Sequence, residues 1–304
     1  MANGKPYVRH GPRSPGRGGR FAALGGVLLA VATIGGIAFA FAGGILGSGG
    51  GTADPTTAPT STLPQAPVLR IIFPEGFSRA EMATRIAEVN KIAKRKRNIT
   101  PKLSPQGYLR SSTAGKLPDD FRNQKVPNLE GFLFPATYDF TADTTSKVLV
   151  GDQLEAFGRA WEDVDLGFAR TKNLTPYDVL IIASMIEEEV LVAKERPLVA
   201  AVIYNRLKLG MTLGIDATIR YGLGVPNTES LKESQLADPN PYNTRIHTGL
   251  PPTPITNPGL ASIQAAAHPA EVDYLFFVRK PDCKTHYFTA SEDEFFQRLA
   301  GPRC

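Results

Sequence analysis

Thr175-Pro176-Tyr177-Asp178-Val179-Leu180-Ile181-Ile182-Ala183-Ser184-Met185-Ile186-Glu187-Glu188-Glu189-Val190 runs from a helix-start signal through an apolar stretch into three consecutive carboxylates. Thr175 offers an N-cap hydroxyl, Pro176 suits the first helical position, and Asp178 places an acid at the third. Val179 to Ile186 is apolar on nearly all sides, as in a buried helix, so its acidic end is expected to border a cleft. At ~100° per residue, Glu189 shares a stripe with Ile182, Met185, Ile186 and Ala193, whereas Glu188 and Glu195 point elsewhere. An acid at the end of an apolar stripe, beside two like charges, is expected to have its pKa raised by desolvation and repulsion. A general acid working near neutral pH needs that property. The competing reading is an exposed acidic face paired with Lys194, Arg196 or Lys208, and periodicity alone leaves both open.

Downstream, a helix over 198–209 carries Asn205-Arg206, which would brace Glu195. Asp238-Pro239-Asn240-Pro241 leads into Tyr242, Asn243 and Thr244, and such loops commonly supply hydrogen bonds and stacking at a cleft. Asp216 and Tyr221 are candidates on the same grounds, with turn chemistry as the alternative for each. Tyr274 to Val278 reads as a short strand. His268 reads as a helix-terminus residue before Pro269. Neither His268 and His286 nor Cys283 and Cys304 have metal-ligand spacing, so no metal and no cofactor is expected. In an exported chain a disulfide between the two cysteines would tie down the terminal helix, the alternative being two separate thiols.

Upstream, residues 144–170 read as a helix, Leu129 to Tyr138 as extended structure, and the Pro/Gly/Ser-rich 98–127 as connecting loops. Val68 to Phe73 is a β-rich run. Ser78 with Glu81 three residues on is a capping box opening a helix to about Lys96, with Met82, Ile86, Val89 and Ala93 at helical spacing. Lys94-Arg95-Lys96-Arg97 suits the C-terminal end of that helix. The formal net charge of the 304-residue chain is +5. Five cations and no acid fall in the first twenty residues, leaving 29 charges of each sign elsewhere. The body is therefore balanced, which removes the main support for nucleic-acid binding. Phe21 to Leu46 carries no charge and is long enough for the roughly 30 Å core of a bilayer. The positive-inside rule puts residues 1–20 in the cytoplasm and everything after Leu46 outside. A cleaved signal peptide ending at Ala38-Phe39-Ala40 or Ala40-Phe41-Ala42 is the alternative, and it exports the same region. Residues 47–67 read as a flexible Gly/Thr/Pro linker.

Several of these stretches occur in a telling order. They are Phe73-Pro74-Glu75-Gly76, Leu129 to Tyr138, Ala183 to Glu189, Tyr204-Asn205-Arg206-Leu207, Tyr242-Asn243-Thr244, Gly249-Leu250-Pro251-Pro252, Asn257-Pro258-Gly259 and Ala265 to Pro269. On them, residues 68 to about 297 resemble the endolytic murein (peptidoglycan) transglycosylase family, MltG or YceG-like. The resemblance implies an α+β fold: a single N-terminal transmembrane helix, a small LysM-like α/β module over 68–127, truncated relative to the family, and a mostly helical lysozyme-like catalytic domain over 128–304. It implies a lyase of the cell membrane that cuts peptidoglycan glycan strands between N-acetylmuramic acid and N-acetylglucosamine. The products carry 1,6-anhydro ends, and nascent strand elongation is limited or terminated. The family's catalytic acid falls on Glu189. Val190 stands where the broader soluble transglycosylases have Ser, so Glu187 is the reserve. Tyr242, Asn243, Thr244, Asp216 and Tyr221 would hold sugar. Implied partners are the glycan strands and the membrane, with peptidoglycan synthases as candidates. A hydrolase of the same polymer would need a second carboxylate such as Asp216 across the cleft. A non-catalytic wall-binding scaffold would have Glu189 exposed and paired with a lysine.

Overall fold

In the computed structural model, which describes residues 66–302, the chain opens with strand β1 (Leu69–Ile72). Leu69 and Ile71 face inward while Arg70 and Ile72 face out, the period of two that makes a half-buried strand. Its partner is β2 (Thr137–Phe140), antiparallel, from Leu69 opposite Phe140 to Ile72 opposite Thr137. The ladder therefore joins the segment assigned to the small module with the one assigned to the catalytic domain. The 21–46 span, most of the linker and Cys304 lie outside the described residues. Among the described residues, no helix is long and apolar enough to cross a membrane.

Helix α1 (Arg79–Arg97) starts at the expected capping box of Ser78 and Glu81 and buries Met82, Ala83, Ile86 and Ala93. Asn98, in the left-handed region at φ 54°, ends it. Residues 98–127 are more ordered than the loops expected there: they contain helix α2 (Pro105–Ser111) and a 3-10 turn, Asp119–Phe121. The signal lay in Ser104-Pro105, an N-cap hydroxyl accepting from the Gly107 N–H with Pro at the first helical position. The single helix expected over 144–170 is two, α3 (Ser146–Trp161) and α4 (Gly167–Thr171).

Helix α5 (Pro176–Glu189) carries the full expected cap, the Thr175 hydroxyl bonding the Asp178 N–H and the Asp178 carboxylate reaching back to Thr175. Every residue from Val179 to Ile186 is buried, and each large apolar side chain among them contributes up to about 1.5–3 kcal/mol relative to exposure. Around α5 stand α6 (Arg196–Lys208) and α9 (Leu260–Ala267), with α7 (Asp216–Leu223) at its acidic end. The short α8 (Glu233–Leu236) follows α7. The chain closes with an antiparallel hairpin, β3 (Phe276–Arg279) and β4 (His286–Thr289), and α10 (Glu292–Ala300). One hydrophobic cluster runs unbroken from Leu69 and Met82 through Phe132 and Phe157 to α5, α6 and α9.

Candidate active site

The helix stops at Glu189, because Val190 is extended (φ −114°, ψ 119°) and only its N–H continues the ladder, to Ile186. Ala193 is therefore not on the Glu189 stripe, as helical spacing had placed it; it belongs to a 3-10 turn, Ala193–Glu195. All three glutamates sit in the last turn of α5, where the exposed carbonyl ends of the helix disfavour negative charge.

Their surroundings differ. Glu187 is fixed: one oxygen accepts the Gly259 N–H at 3.0 Å, and the other lies 3.6 Å from Arg196, whose Nε donates to Ser262. Glu188, off the Glu189 stripe, is not simply solvated. It is half-buried, accepts from Asn227 Nδ2 at 3.3 Å, and burial raises its carboxyl to about 7. Room for it comes from Gly76, held at φ 81° with its N–H on the Asn257 carbonyl, where a Cβ would come within 3.2 Å of Glu188 Oε1. Glu189 is half-buried as well, and its side chain makes no ion pair among the described residues. Burial pushes its carboxyl up to about 7, Arg279 and Arg245 pull it down, and Asp216 adds to the rise. The raised value was expected; the repelling acid is Asp216 from α7. Glu75, also shifted upward by lost hydration and by Glu187, packs so closely on Gly259 that a Cβ there would overlap it.

The other sequence candidates separate into two groups. Asp216, at the first position of α7, holds Arg245 through an ion pair of 2.6 Å. Tyr242 is half-buried, its hydroxyl 2.9 Å from Thr253 Oγ1 and its ring edge-on to Tyr221 at 5.1 Å. Asn243 and Thr244, by contrast, spend their side chains on the loop itself. Asn243 Nδ2 donates to the Leu236 and Asp238 carbonyls, and Thr244 Oγ1 accepts the Ile215 N–H. Asn205 and Arg206 do not brace Glu195. They bond the carbonyls of Val272, Tyr274 and Leu275, and of Thr212 and Leu213. Glu195 is held by His286 instead. Asp165 faces His268 at 3.4 Å, and among the described residues no three His, Cys, Asp or Glu side chains are grouped as metal ligands would be.

Sequence reasoning missed Glu130. Only 3% exposed, it accepts the Arg79 N–H on both oxygens, Asn257 Nδ2 at 2.8 Å and the Tyr221 hydroxyl at 3.2 Å. Asn257 Oδ1 in turn takes the N–H groups of Gly131 and Leu133. Burial raises the Glu130 carboxyl to about 8 against the pull of these donors. Its signal was an acid inside the apolar Leu129 to Leu133 run, a place where charged residues rarely fall without partners. A separate groove of about 1100 Å³ between residues 111–120 and α3, lined by Leu117, Leu154 and Trp161, contains none of these acids.

An α+β domain whose buried central helix ends in a half-buried carboxyl, raised toward neutrality by burial, has the makings of an acid/base enzyme. The chain belongs to the YceG-like family, whose model matches residues 56–300. It is 33% identical over 215 residues to an endolytic murein transglycosylase of Bacillus subtilis (strain 168), covering 69% of this chain and 59% of that protein. It is 31% identical over 247 residues to the protein of the same description from Streptococcus pneumoniae (strain ATCC BAA-255 / R6), covering 76% of this chain and 44% of that one. The chain thus spans about half the length of these curated relatives. A crystal structure of a yceG-like protein from Listeria monocytogenes superposes with a TM-score of 0.62 at 27% identity, covering 76% of each chain.

Proposed function

We propose that this protein is an endolytic lytic transglycosylase, a lyase that cuts peptidoglycan strands between N-acetylmuramic acid and N-acetylglucosamine with Glu189 as acid and base. The observation that carries the reading is the Glu189 carboxyl, half-buried at the end of α5, shifted to about 7 and committed to no ion pair among the described residues. It stands where proton donation and acceptance are both accessible near neutral pH. Glu189 delivers its proton to the glycosidic oxygen as the C1–O bond of the muramyl residue breaks. The carboxylate then takes the proton of that sugar's own C6 hydroxyl as O6 bonds to C1, closing the 1,6-anhydro ring; water is not consumed. An internal nucleophile needs orientation by the site more than activation. Glu187, tied to Gly259 and Arg196, is the less available acid, and Asp216, held by Arg245, is poorly placed as the free second carboxylate of a hydrolase.

In this reading Tyr242, Tyr221 and Asp216 border the sugar, and Asn243 and Thr244 shape their loop. Residues 68–127 act as a LysM-like wall-binding module and 128–304 as the catalytic part, sharing the β1–β2 ladder. Residues 21–46 anchor the protein in the cell membrane with the catalytic part outside, where cutting nascent strands limits their length beside the peptidoglycan synthases. Mass spectrometry of digested glycan strands tests the chemistry: 1,6-anhydro ends that disappear with Glu189→Gln are expected. New reducing ends point to a hydrolase, and no cleavage by the wild type overturns the reading.

A further inference from the structure

One side chain of the terminal hairpin reaches the acidic end of α5. Arg279 Nη2 points at the Glu189 carbonyl oxygen, 3.4 Å away, a long contact whose strength depends on where the hairpin is held. Arg279 lies directly opposite His286 in the β3–β4 register. His286 is 4% exposed, and both oxygens of an equally buried carboxylate are committed to it: its Nδ1 is 2.8 Å from Glu195 Oε2, and its backbone N–H donates to Oε1 at 3.1 Å. Glu195 ends the 3-10 turn between α5 and α6, so it ties the hairpin to the connection that follows the helix bearing Glu189. Arg206 adds a second brace, donating to the Leu275 carbonyl at 2.6 Å with its guanidinium 5.1 Å from the centre of the Phe276 ring. A buried pair of this kind is weak evidence of stabilisation, and its best-attested use is to fix register.

We propose that the Glu195–His286 pair is a positioning device that holds the hairpin so that the Arg279 guanidinium stands over the last carbonyl of α5, making Arg279 a positioning residue for proton transfer at Glu189. The link to catalysis rests on the proposed function; the placement itself does not. The charges facing Glu189 are Arg279 from β3, Asp216 from α7, Arg245 from the loop after α8, and Glu188 on its own helix, with Glu187 beside Glu188. Arg245 is taken by Asp216 and Arg196 by Glu187, whereas Arg279 forms no ion pair among the described residues. Its charge is therefore available to the Glu189 carboxylate left after the first proton transfer, and it keeps the protonated acid strong enough to donate.

Carboxyl-carbon NMR of the protein labelled at glutamate tests this without any glycan, the Glu189 signal being the one lost in Glu189→Gln. Arg279→Gln should raise the Glu189 midpoint by on the order of half a unit to one unit, and Arg279→Lys should restore most of it. Glu195→Gln should move the midpoint the same way as the hairpin loosens. With glycan strands, the alkaline limb of the pH–rate profile should follow, in kcat more than in KM. An unmoved midpoint in Arg279→Gln overturns the proposal. So does a folded Glu195→Gln protein that melts earlier with an unmoved midpoint, since the pair is then only structural; should that variant not fold, the two Arg279 variants decide. Failure of the proposed function looks different: the midpoints move as expected, yet no 1,6-anhydro ends form.

Discussion

Two helices of this fold end in runs of like charge, and the runs behave differently. Lys94-Arg95-Lys96-Arg97 closes α1 with all four side chains exposed, where the helix dipole favours cations and water screens them from one another. Glu187-Glu188-Glu189 closes α5 with all three half-buried, where the dipole opposes them and water is partly excluded. The charge pattern is the same kind of signal in both; what separates them is what packs around the helix end. Around the end of α1 there is mostly solvent, with Lys94 Nζ on Asn98 Oδ1 and Arg97 Nη1 on the Val68 carbonyl, and around α5 there are α7, the Asn257-Pro258-Gly259 loop and the β3–β4 hairpin. A charge run becomes a reactive site only where the fold removes its water.

Breaking the α5 end should have the largest effect. Glu189→Gln keeps the shape but not the proton, so turnover of glycan strands should fall by at least ~10²–10⁴-fold with an unchanged circular dichroism spectrum. Near-normal turnover would make the two helix ends functionally alike and sink the distinction.

Next is the buried acid behind the site. Glu130 is raised from its ordinary 4.5 to about 8 by burial, so between those values the folded protein holds a proton that the unfolded chain has lost. Stability should therefore fall as pH rises through that window, by up to ~1.4 kcal/mol per pH unit for this one group. Urea titrations of Glu130→Gln at several pH values should show a flatter dependence between about pH 5 and 8 than the wild type.

Glu187→Gln should cost about 1.5–3 kcal/mol by weakening the charged hydrogen bond to Gly259 and leaving Arg196 poorly paired. Its damage should appear in the melting temperature before it appears in the pH–rate profile, the reverse of Glu189→Gln. Smallest of all, Lys96→Ala should change stability by no more than ~0.5 kcal/mol. A larger loss in a denaturant titration would mean that Lys96 has a structural partner, as Arg97 has in the Val68 carbonyl.

The central helix was legible because every cue agreed: Thr175, Pro176 and Asp178 specify its start locally, and an unbroken apolar run can be stable only if buried. The capping box of α1 was legible for the same reason. Local chemistry also misled where it was read by composition instead of position, as at Ser104-Pro105, where a helix start hid in a loop-like stretch. The end of α5 was harder. Helical periodicity extrapolated past Glu189 to Ala193, but the backbone turns extended at Val190, and nothing within one turn of sequence announces that.

What the amino-acid sequence determined by itself was therefore local or cumulative: helix caps, strand alternation, and the presence of an acid at the end of a buried helix. Tertiary structure alone decided which acid is tied and which is available. Glu187 meets Gly259 and Arg196, Glu130 meets Arg79, Tyr221 and Asn257, and Glu195 meets His286. Most of these partners come from distant parts of the chain. A carboxyl's proton affinity depends on the water it loses and the donors it gains within a few ångströms, and in a folded chain those are set by packing across long sequence separations, which no local pattern encodes.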